Sequence, residues 1–436
     1  MSGEPAALAA RSRIVDAALV YWTQGADRLA TLPVPAAWRP AQEVLPPALE
    51  PVLLPEWASD VGVTGALCVP AWAVRPGESA AWTRCDWWQA AAWFLDGAAE
   101  RAYEARQGSI ASYSSRLAGW DSRLWDRAWV NRIAMFLRRW AARAVNQDEQ
   151  ALGPFPRSRL TMTHDLDAVT KTFAIRSKQT AFAAVNILRL LGRGEMSQAR
   201  RRVACGVRFA LSTPSYNLLR RATELAEGRR GVIYVFAGGS RTTVAKRLLD
   251  PSYSLTPDVV RDLTSLGRDG WTIGLHPSID AWKDPEALRH ARTRLEAALG
   301  TPVHDCRQHW LRFSWSGTWA AQQEAGFLRD SSLGFNDRPG FRTAAALEYR
   351  PLGGTRDERS LLTTPLMLMD SHLYDYGLVA DEQRAAAMST WTREVQAVGG
   401  TAAVLWHPHT LAPDYGWEPG LRQLVSLMSG GDTSES

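Results

Sequence analysis

The chain has 436 residues, a length that suits about two or three domains. Its 46% hydrophobic and 22% charged residues are typical of a globular protein and exclude a largely disordered or collagen-like chain. The formal net charge is +5, but the arginines are spread along most of the sequence without a basic block that carries aromatic residues, so nucleic acid is not expected as a partner.

The N-terminus predicts neither a secretory signal nor a membrane anchor. No apolar run approaches the ~18 residues that a transmembrane helix needs. The first residues lack a basic start, and no small-residue cleavage site follows a clean apolar core. We therefore expect a cytoplasmic protein without a transmembrane segment. The four cysteines form no CxxC pair, so neither a disulfide framework nor a thiolate zinc site is indicated.

The first third of the chain predicts a mainly helical, tryptophan-rich domain of unknown role over residues 1–152. An alanine-rich helix is expected over 1–30, followed by a proline-rich connector over 31–56. From 86 to 144 the pattern is helical, and its tryptophans favour a buried stripe over a ligand platform. A Gly-Pro-Phe-Pro sequence at 153–156 marks the boundary.

Beyond residue 153, short β-rich runs alternate with helical stretches. The seven runs are Arg159–Asp167, Gly231–Gly239, Trp271–Pro277, His304–Leu311, Phe327–Phe335, Leu362–Asp370 and Ala402–His409. Helices are predicted over Pro257–Arg268, Pro285–Leu299, Thr318–Ala325 and Glu382–Val398. Alternation of this kind favours a parallel sheet, so we predict an α/β fold, an irregular (β/α) barrel of about seven parallel strands over 153–428.

One segment of this barrel, residues 171–230, is too long for a simple crossover between strands. It is helical and basic, and we interpret it as an inserted subdomain or a lid. A solvated amphipathic surface and peripheral contact with an anionic membrane both stay open for it. The tail over 429–436 is predicted to be disordered.

The chemically informative pattern is that the apolar runs hold titratable residues, several of them at or just beyond the carboxyl ends of the runs. These residues are Asp165, Asp167, His276, Asp280, Arg307, Asp330, Asp370 and His407. The carboxyl ends of parallel barrel strands meet at one mouth, which is where active sites form. Packing alone does not explain such endings, so the sequence predicts an active site there.

The spacing of the candidate residues indicates a metal site. Asp165 and Asp167 are two residues apart on a strand, so both can point into the mouth, where they would repel each other unless a cation lay between them. His276 can supply a nitrogen ligand and Asp280 an oxygen ligand, a set that suits Zn²⁺, Mn²⁺, Fe²⁺ or Co²⁺. Arg307 would orient one carboxylate. A buried ion network without metal is the alternative.

Five motifs appear in an order that resembles a known family. They are Thr163–Asp167, His276–Asp280, Arg307, Asp330–Phe335 and Leu405–His407. From Arg159 to about Trp417 the chain resembles the polysaccharide deacetylases (NodB homology, carbohydrate esterase family 4). The residues around Asp86–Trp93 resemble the appendage of a subgroup that has an extra N-terminal domain.

The resemblance implies a role for each motif residue. It implies Asp165 as general base, Asp167 and His276 as metal ligands, Arg307 as the residue that orients the base, His407 as general acid, and Asp330 as the residue that orients this acid. Two departures are evident: Leu166 separates the two aspartates of the first motif, and Asp280 stands where the family has its second metal histidine. Trp310, Trp406 and His309 are predicted to contact the substrate.

The predicted function is therefore that of a metal-dependent carbohydrate deacetylase, with zinc as the first choice of cofactor. The implied substrate is an amino sugar, an oligosaccharide or a lipid- or nucleotide-linked glycan precursor that carries an N- or O-acetyl group. A catalytically inactive glycan-binding relative is one alternative. A haloacid dehalogenase phosphatase, which would use Asp165 as nucleophile, is another. The oligomeric state stays open.

Overall fold

A computed structural model describes residues 3–239, 243, 246, 249–352, 360–376 and 380–429. By their internal contacts the residues form two compact units. Unit 1 contains Met1–Arg159, Gly340–Pro365 and Arg393–Ala402, and unit 2 contains Leu160–Pro339, Leu366–Thr392 and Ala403–Ser436. The expected domain boundary at residue 152 stays a prediction, and two segments from late in the chain belong to the first unit.

The helices and strands are numbered here in chain order. Helices α1 to α14 span Gly3–Ala17, Ala81–Arg84, Trp87–Leu95, Ala98–Gln107, Trp129–Ala144, Phe173–Gly192, Met196–Leu211, Leu219–Leu225, Pro257–Arg268, Pro285–Leu299, Thr318–Glu324, Asp370–Tyr374, Asp381–Ala397 and Glu418–Ser429. Strands β1 to β10 span Leu49–Leu53, Ala66–Pro70, Arg159–Leu166, Val232–Val235, Thr272–Leu275, Asp305–Cys306, Arg329–Asp330, Leu362–Thr363, Leu366–Met369 and Thr401–Leu405.

Unit 1 has a core built from aromatic rings. Phe136 on α5 lies 5.0 Å from Trp87 and 5.6 Å from Trp140, measured between ring centroids. Trp82 contacts the same ring edge-on at 6.2 Å. Aromatic pairs at these distances add about 0.5–1.5 kcal/mol each beyond the area that they bury. Trp87 and Trp140 are buried, in agreement with the buried stripe that the pattern over 86–144 predicts. The antiparallel pair β1–β2 was not predicted.

Two buried ion pairs connect the late segments of unit 1 to its N-terminal part. Arg132 on α5 pairs with Glu394 at 2.8 Å, and both side chains are buried. Arg342 donates to Glu100 with Nε–Oε2 at 3.0 Å. Removing one partner of such a pair would leave a buried charge, which typically costs about 3–5 kcal/mol. Long-range pairs of this kind cannot be anticipated from local sequence patterns.

Unit 2 contains a parallel half-barrel. Its seven strands follow the order β7-β6-β5-β4-β3-β10-β9, and the pairs β3–β4, β4–β5, β5–β6, β6–β7 and β9–β10 are parallel. Leu366, at the start of β9, donates its backbone N–H at 2.9 Å to the carbonyl of Leu333, three residues beyond β7. The predicted α/β fold with about seven parallel strands is confirmed.

The helices that follow the central strands begin and end where local signals predict. Thr256 accepts the N–H of Val259 with its hydroxyl, and Pro257 occupies the first turn of α9. Asp284 caps α10 in the same way, by accepting from the N–H of Ala287. Gly300 ends α10 with φ +71°, a left-handed conformation that glycine adopts without a steric penalty.

The predicted helical stretch over 171–230 contains α6, α7 and α8. Helices α6 and α7 pack closely, since a Cβ placed on Gly206 would lie 3.7 Å from the Cβ of Ala183. Of the predicted tail, only Ser429 is described, as the last residue of α14; the other residues lie outside the described ones. No described helix combines the length and apolar character that crossing a bilayer requires.

Candidate active site

Asp165 and Arg307 form a buried ion pair at the carboxyl ends of β3 and β6. Nη1 of Arg307 donates to Oδ1 of Asp165 at 2.9 Å and to the hydroxyl of Thr163 at 2.8 Å. Thr163 and Asp165 share one face of β3, as their spacing of two requires. The remaining guanidinium donors bond to Ser331, through its backbone carbonyl at 3.0 Å and its hydroxyl at 2.9 Å. Arg307 therefore fixes the orientation of one carboxylate oxygen.

His276, directly after β5, lies between the two aspartates. Its Nδ1 is 2.7 Å from the backbone carbonyl of Arg307, and because a carbonyl only accepts, Nδ1 carries the proton. Its Nε2 lies 3.4 Å from Oδ1 of Asp167 and 3.7 Å from Oδ2 of Asp165. A neutral His276 thus directs the lone pair of Nε2 toward two carboxylate oxygens.

His309 completes this group. Its Nε2 lies 3.9 Å from Oδ1 of Asp167, and its ring centroid lies 4.7 Å from that of His276. On its other side, Nδ1 is 3.6 Å from Oδ1 of the buried Asp250. The next two residues, Trp310 and Leu311, have φ of +57° and +46°. Such left-handed turns are sparsely populated by non-glycine residues and cluster at functional sites.

Asp280 does not join this group, which corrects the sequence prediction. Its carboxylate pairs with Nζ of Lys246 at 2.9 Å and accepts from the hydroxyl of Ser278 at 3.0 Å, and its side chain is 49% exposed. A half-exposed carboxylate that pairs with Lys246 has no geometric part in the buried cluster. His309, predicted to contact substrate, lies beside Asp167 and His276, where the sequence analysis had placed Asp280.

The donor set fits a divalent transition metal. One ligand atom each from Asp167, His276 and His309 lies within 4.8 Å of the others. Oδ1 of Asp167 is buried and has no hydrogen-bond partner among the described residues, and it faces the imidazoles of His276 and His309. One carboxylate and two imidazoles suit zinc and its neighbours in the first transition row.

The pKa shifts show how strongly these groups interact. Burial raises the pKa of Asp167, but the adjacent ring of His276 and the charges of His309 and His407 outweigh burial and hold this pKa well below its ordinary value. Burial lowers the pKa of His276, but Asp165 and Asp167 outweigh that effect and raise it. For His309, burial dominates and lowers the pKa, which keeps the ring neutral and able to bind a cation.

His407 lies on the other side of Asp167 and is held by Asp370. Nδ1 of His407 is 2.7 Å from Oδ1 of Asp370, and the backbone N–H of His407 donates to Oδ2 of the same carboxylate at 2.9 Å. Nε2 of His407 lies 3.5 Å from Oδ2 of Asp167. Burial lowers the pKa of His407, but Asp370 and Asp167 outweigh burial and raise it to about 9. His407 is thus charged near neutral pH.

Asp330 does not contact His407, contrary to the role implied by the family resemblance. Its Oδ2 accepts from the indole N–H of Trp319 at 3.0 Å. Its Oδ1 accepts from the side chain of Gln322 at 2.8 Å and from the N–H and hydroxyl of Ser332 at 3.0 and 2.5 Å. These bonds position the segment that carries Ser331, and hence Arg307, whereas Asp370 orients His407.

An open cavity of about 1040 Å³, a volume that includes solvent at its mouth, lies over these side chains. Trp310, predicted to contact substrate, lines this cavity, as do Tyr415 and Trp417. Trp406 does not: its side chain is fully buried, and its ring contacts Tyr374 edge-on at 6.1 Å. The prediction of Trp406 as a substrate contact is therefore wrong.

Sequence reasoning missed that His309 lies with Asp167 and His276, and it missed the contacts of Asp250 and Asp370. Asp370 ends a predicted β-run, so the signal for it was present, but its partner could not be chosen among several carboxylates. His309 is two residues beyond Arg307, a spacing that could have suggested a shared side. No local sequence pattern indicated Asp250, because it lies in a loop and only the tertiary fold brings it to His309.

The solved structures that this chain resembles include the following two. One is a protein of Mycobacterium smegmatis that is provisionally described as a polysaccharide deacetylase, with 19% identity, a TM-score of 0.36, and coverage of 65% of this chain and 86% of the other. Another is the Xyl-CE4 domain of a multidomain xylanase from the hindgut metagenome of Trinervitermes trinervoides, with 7% identity, a TM-score of 0.26, and coverage of 62% and 82%. Neither a protein-family model nor a curated protein sequence matches the chain.

Proposed function

We propose that this protein is a divalent-metal-dependent deacetylase of the polysaccharide deacetylase superfamily. It would remove an N- or O-acetyl group from an amino sugar, an oligosaccharide, or a lipid- or nucleotide-linked glycan precursor. The proposal rests on the site's own geometry, and one observation carries it: the carboxylate of Asp167 lies within 4 Å of His276, His309 and His407, and the first two of these histidines can bind a metal together with it.

Asp167, His276 and His309 would hold the cation, with Zn²⁺ as the first choice and Mn²⁺, Fe²⁺ or Co²⁺ as alternatives. When bound, such a cation supplies Lewis acidity that polarises an acyl carbonyl and lowers the pKa of a water molecule. The Arg307 carbonyl accepts from Nδ1 of His276, a contact of the kind that orients metal-binding imidazoles. Asp250 lies behind His309, with its Oδ1 3.6 Å from Nδ1 of that ring.

Asp165 is the residue that would accept a proton. Arg307 holds its Oδ1, while Oδ2 points toward His276 and the cavity. In the reaction, a water oxygen attacks the acyl carbon and its proton passes to Oδ2 of Asp165. General-base catalysis of this type contributes about 10²–10⁴-fold in rate.

His407 is suited to the opposite task. Its raised pKa keeps the ring charged, and its Nε2 faces Asp167 rather than Asp370. When the bond between the acyl carbon and the sugar nitrogen or oxygen breaks, the proton on Nε2 of His407 passes to that departing atom. Asp370 stabilises the charged ring before transfer and fixes its orientation.

The deciding experiment is metal analysis by mass spectrometry on protein purified without chelators or nickel affinity. We expect about one equivalent of a transition metal in the wild type and its loss in His276→Ala. The matched control is His290→Ala, since His290 is an exposed histidine on α10. Acetate release from acetylated amino-sugar oligosaccharides is then measured on the same preparations.

Three outcomes separate the competing functions. Absence of metal from the wild type, even after the ions are added, would refute the metal-dependent mechanism. Metal and glycan binding without acetate release would favour an inactive glycan-binding relative. The phosphatase alternative requires Asp165 as a nucleophile, and hydrolysis of an aryl phosphate with Mg²⁺ would support it.

A further inference from the structure

The hairpin of α6 and α7 has an unusually apolar surface. Of the 17 exposed large hydrophobic side chains on the described residues, eight lie on this hairpin. They are Phe173, Val185, Leu188, Leu191, Met196, Val203, Val207 and Leu211. Scattered exposed hydrophobic residues are ordinary on a globular surface, but a concentration of this kind marks an interaction site.

The inner face of each helix is already occupied by contacts within unit 2. Gln179 and Asn186 on α6 donate to Asp375, at 2.9 Å to its side chain and 3.1 Å to its backbone carbonyl. Arg202 on α7 donates to the backbone carbonyl of Tyr374 at 3.0 Å. Both helices are therefore anchored to the segment 374–375, and their opposite faces point away from it.

The exposed hydrophobic residues follow helical spacing on these outer faces. They recur at steps of three on α6, at Val185, Leu188 and Leu191, and at steps of four on α7, at Val203, Val207 and Leu211. Steps of three and four place side chains on one side of a helix. Each helix thus has a continuous apolar outer stripe rather than isolated exposed residues.

The charge of the hairpin is strongly positive. Residues 171–212 contain nine basic residues and one acidic residue, Glu195, for a net charge of +8, whereas the whole chain carries only +5. The rest of the chain is consequently net negative. Five exposed arginines belong to the hairpin, namely Arg189, Arg193, Arg200, Arg201 and Arg208. Within the described parts of the chain, none of these five lies within 4.0 Å of a carboxylate.

We propose that the outer surface of the α6–α7 hairpin binds the surface of an anionic phospholipid membrane. Hydrophobic residues would enter the boundary between headgroups and acyl chains, and the exposed arginines would contact lipid phosphates. A second copy of the chain fits less well, because two such hairpins would bring like charges together. An anionic lipid membrane complements both the exposed hydrophobic residues and the positive charge of this surface.

Membrane binding would also place the cavity close to the lipid. Ile175, Gln179 and Phe182, on α6, line the cavity. The helix that provides the apolar stripe is therefore also one wall of the site. The inference does not depend on the proposed function, because vesicle binding requires neither substrate nor metal.

The test is flotation of the full chain with vesicles of phosphatidylcholine alone or of equal parts phosphatidylcholine and phosphatidylglycerol. We expect binding to the anionic vesicles that weakens when the salt rises from about 0.1 M to about 0.5 M. Leu188→Glu should lower the partition coefficient between vesicles and water about tenfold or more, since it replaces an apolar contact with the lipid by a charge. Its control is Leu53→Glu, because Leu53 is 69% exposed and Leu188 is 68% exposed.

A charge variant tests the second half of the proposal. The double variant Arg200→Glu/Arg208→Glu should reduce binding at least tenfold at low salt, whereas Arg268→Glu, at an exposed position on α9, should not. Equal binding to neutral and anionic vesicles, or unchanged binding of Leu188→Glu, would overturn the proposal. A concentration-dependent dimer in solution that Leu188→Glu abolishes would also overturn it, in favour of a second copy as the occupant.

Discussion

Asp370 holds His407 through two bonds, one from the imidazole Nδ1 at 2.7 Å and one from the backbone N–H at 2.9 Å. The carboxylate is fully buried, and it is the main partner that raises the pKa of His407 against the effect of burial. The hydroxyl of Thr410 donates to the same carboxylate at 3.1 Å. This arrangement controls both the orientation and the protonation of the proposed general acid.

Replacing Asp370 with asparagine should lower deacetylase activity about a hundredfold, because the acid loses the charge that keeps it protonated. Against the effect of burial, the charges of Asp370 and Asp167 raise the pKa of His407 to about 9. Without the carboxylate this pKa falls, so the proton needed by the leaving group is lost at a lower pH. The alkaline limb of the kcat/KM profile should therefore move to lower pH in Asp370→Asn.

Asp330→Asn is the matched control for that variant. Asp330 is equally buried but bonds to Trp319, Gln322 and Ser332 rather than to His407. We expect a lower free energy of unfolding and little movement of the alkaline limb. If Asp330→Asn moved the limb and Asp370→Asn did not, the assignment of Asp370 would be incorrect.

Metal retention should distinguish His309 from Asp280. His309→Ala removes one of three candidate ligands and should lower the bound metal at least tenfold, by mass spectrometry after dialysis. Asp280→Ala should retain its metal, because Asp280 pairs with Lys246 outside the cluster. The opposite pattern of retention would restore Asp280 as a ligand.

Gly274 should be intolerant of a side chain. A Cβ at this position would lie 2.8 Å from ring atoms of Tyr234 and 3.0 Å from the Cβ of Asp305. The Tyr234 ring packs against the guanidinium of Arg307 at 4.3 Å, so moving the ring disturbs the residue that orients Asp165. Gly274→Ala should lower the free energy of unfolding by about 1–3 kcal/mol and reduce kcat.

Gly267→Ala provides the comparison. Gly267 lies within α9, and a Cβ there meets nothing within 4 Å. Alanine favours a helix over glycine by about 1 kcal/mol, so this variant should be more stable than the wild type in urea denaturation. Equal effects of the two substitutions would contradict the steric explanation at Gly274.

His372 should make the protein sensitive to acid. Burial lowers the pKa of His372 to about 4, and its neutral ring donates from Nε2 to the carbonyl of Phe335 at 2.9 Å and accepts from the N–H of Met369 at 3.1 Å. In the unfolded chain His372 binds a proton at about pH 6.5, whereas in the folded protein it does so only near pH 4. Stability from this group is complete above about pH 6.5 and is lost as the pH falls toward 4.

The loss amounts to about 3 kcal/mol over that interval. It can be measured as the difference in the free energy of unfolding between wild type and His372→Gln at several pH values. Glutamine does not titrate, so the wild type should lose its advantage as the pH falls from about 6.5 to about 4. A difference that stays constant over this range would show that His372 does not couple folding to pH.

Local patterns predicted the elements of unit 2 well. The bounds of α9 and α10 agree with the predicted ranges because Thr256, Asp284 and Gly300 act within one turn of the chain. Each of the seven β-runs contains a strand because each has an apolar stretch bounded by polar residues, but the strands are shorter than the runs. The prediction that the site lies at the strand ends follows from parallel topology, which strand–helix alternation already indicates.

Local patterns did not predict the partners of individual polar residues. Asp280 and Asp330 follow apolar runs as Asp370 does, and sequence spacing alone could not decide which carboxylate meets a histidine. The choice depends on strand order and on loop direction, which bring Asp370 to His407 and Asp250 to His309. Likewise, only packing shows that Trp406 is buried whereas Trp310 lines the cavity.

The sequence by itself determined the fold class and the residue types at the mouth of the barrel, because periodicity and helix capping act over a few residues. The tertiary structure decided that Asp167, His276 and His309 come together, that Asp370 is the partner of His407, and which residues form the outer surface of the α6–α7 hairpin. These features depend on contacts between residues far apart in the chain. Such contacts are fixed by the free energy of the whole packed unit rather than by any local pattern.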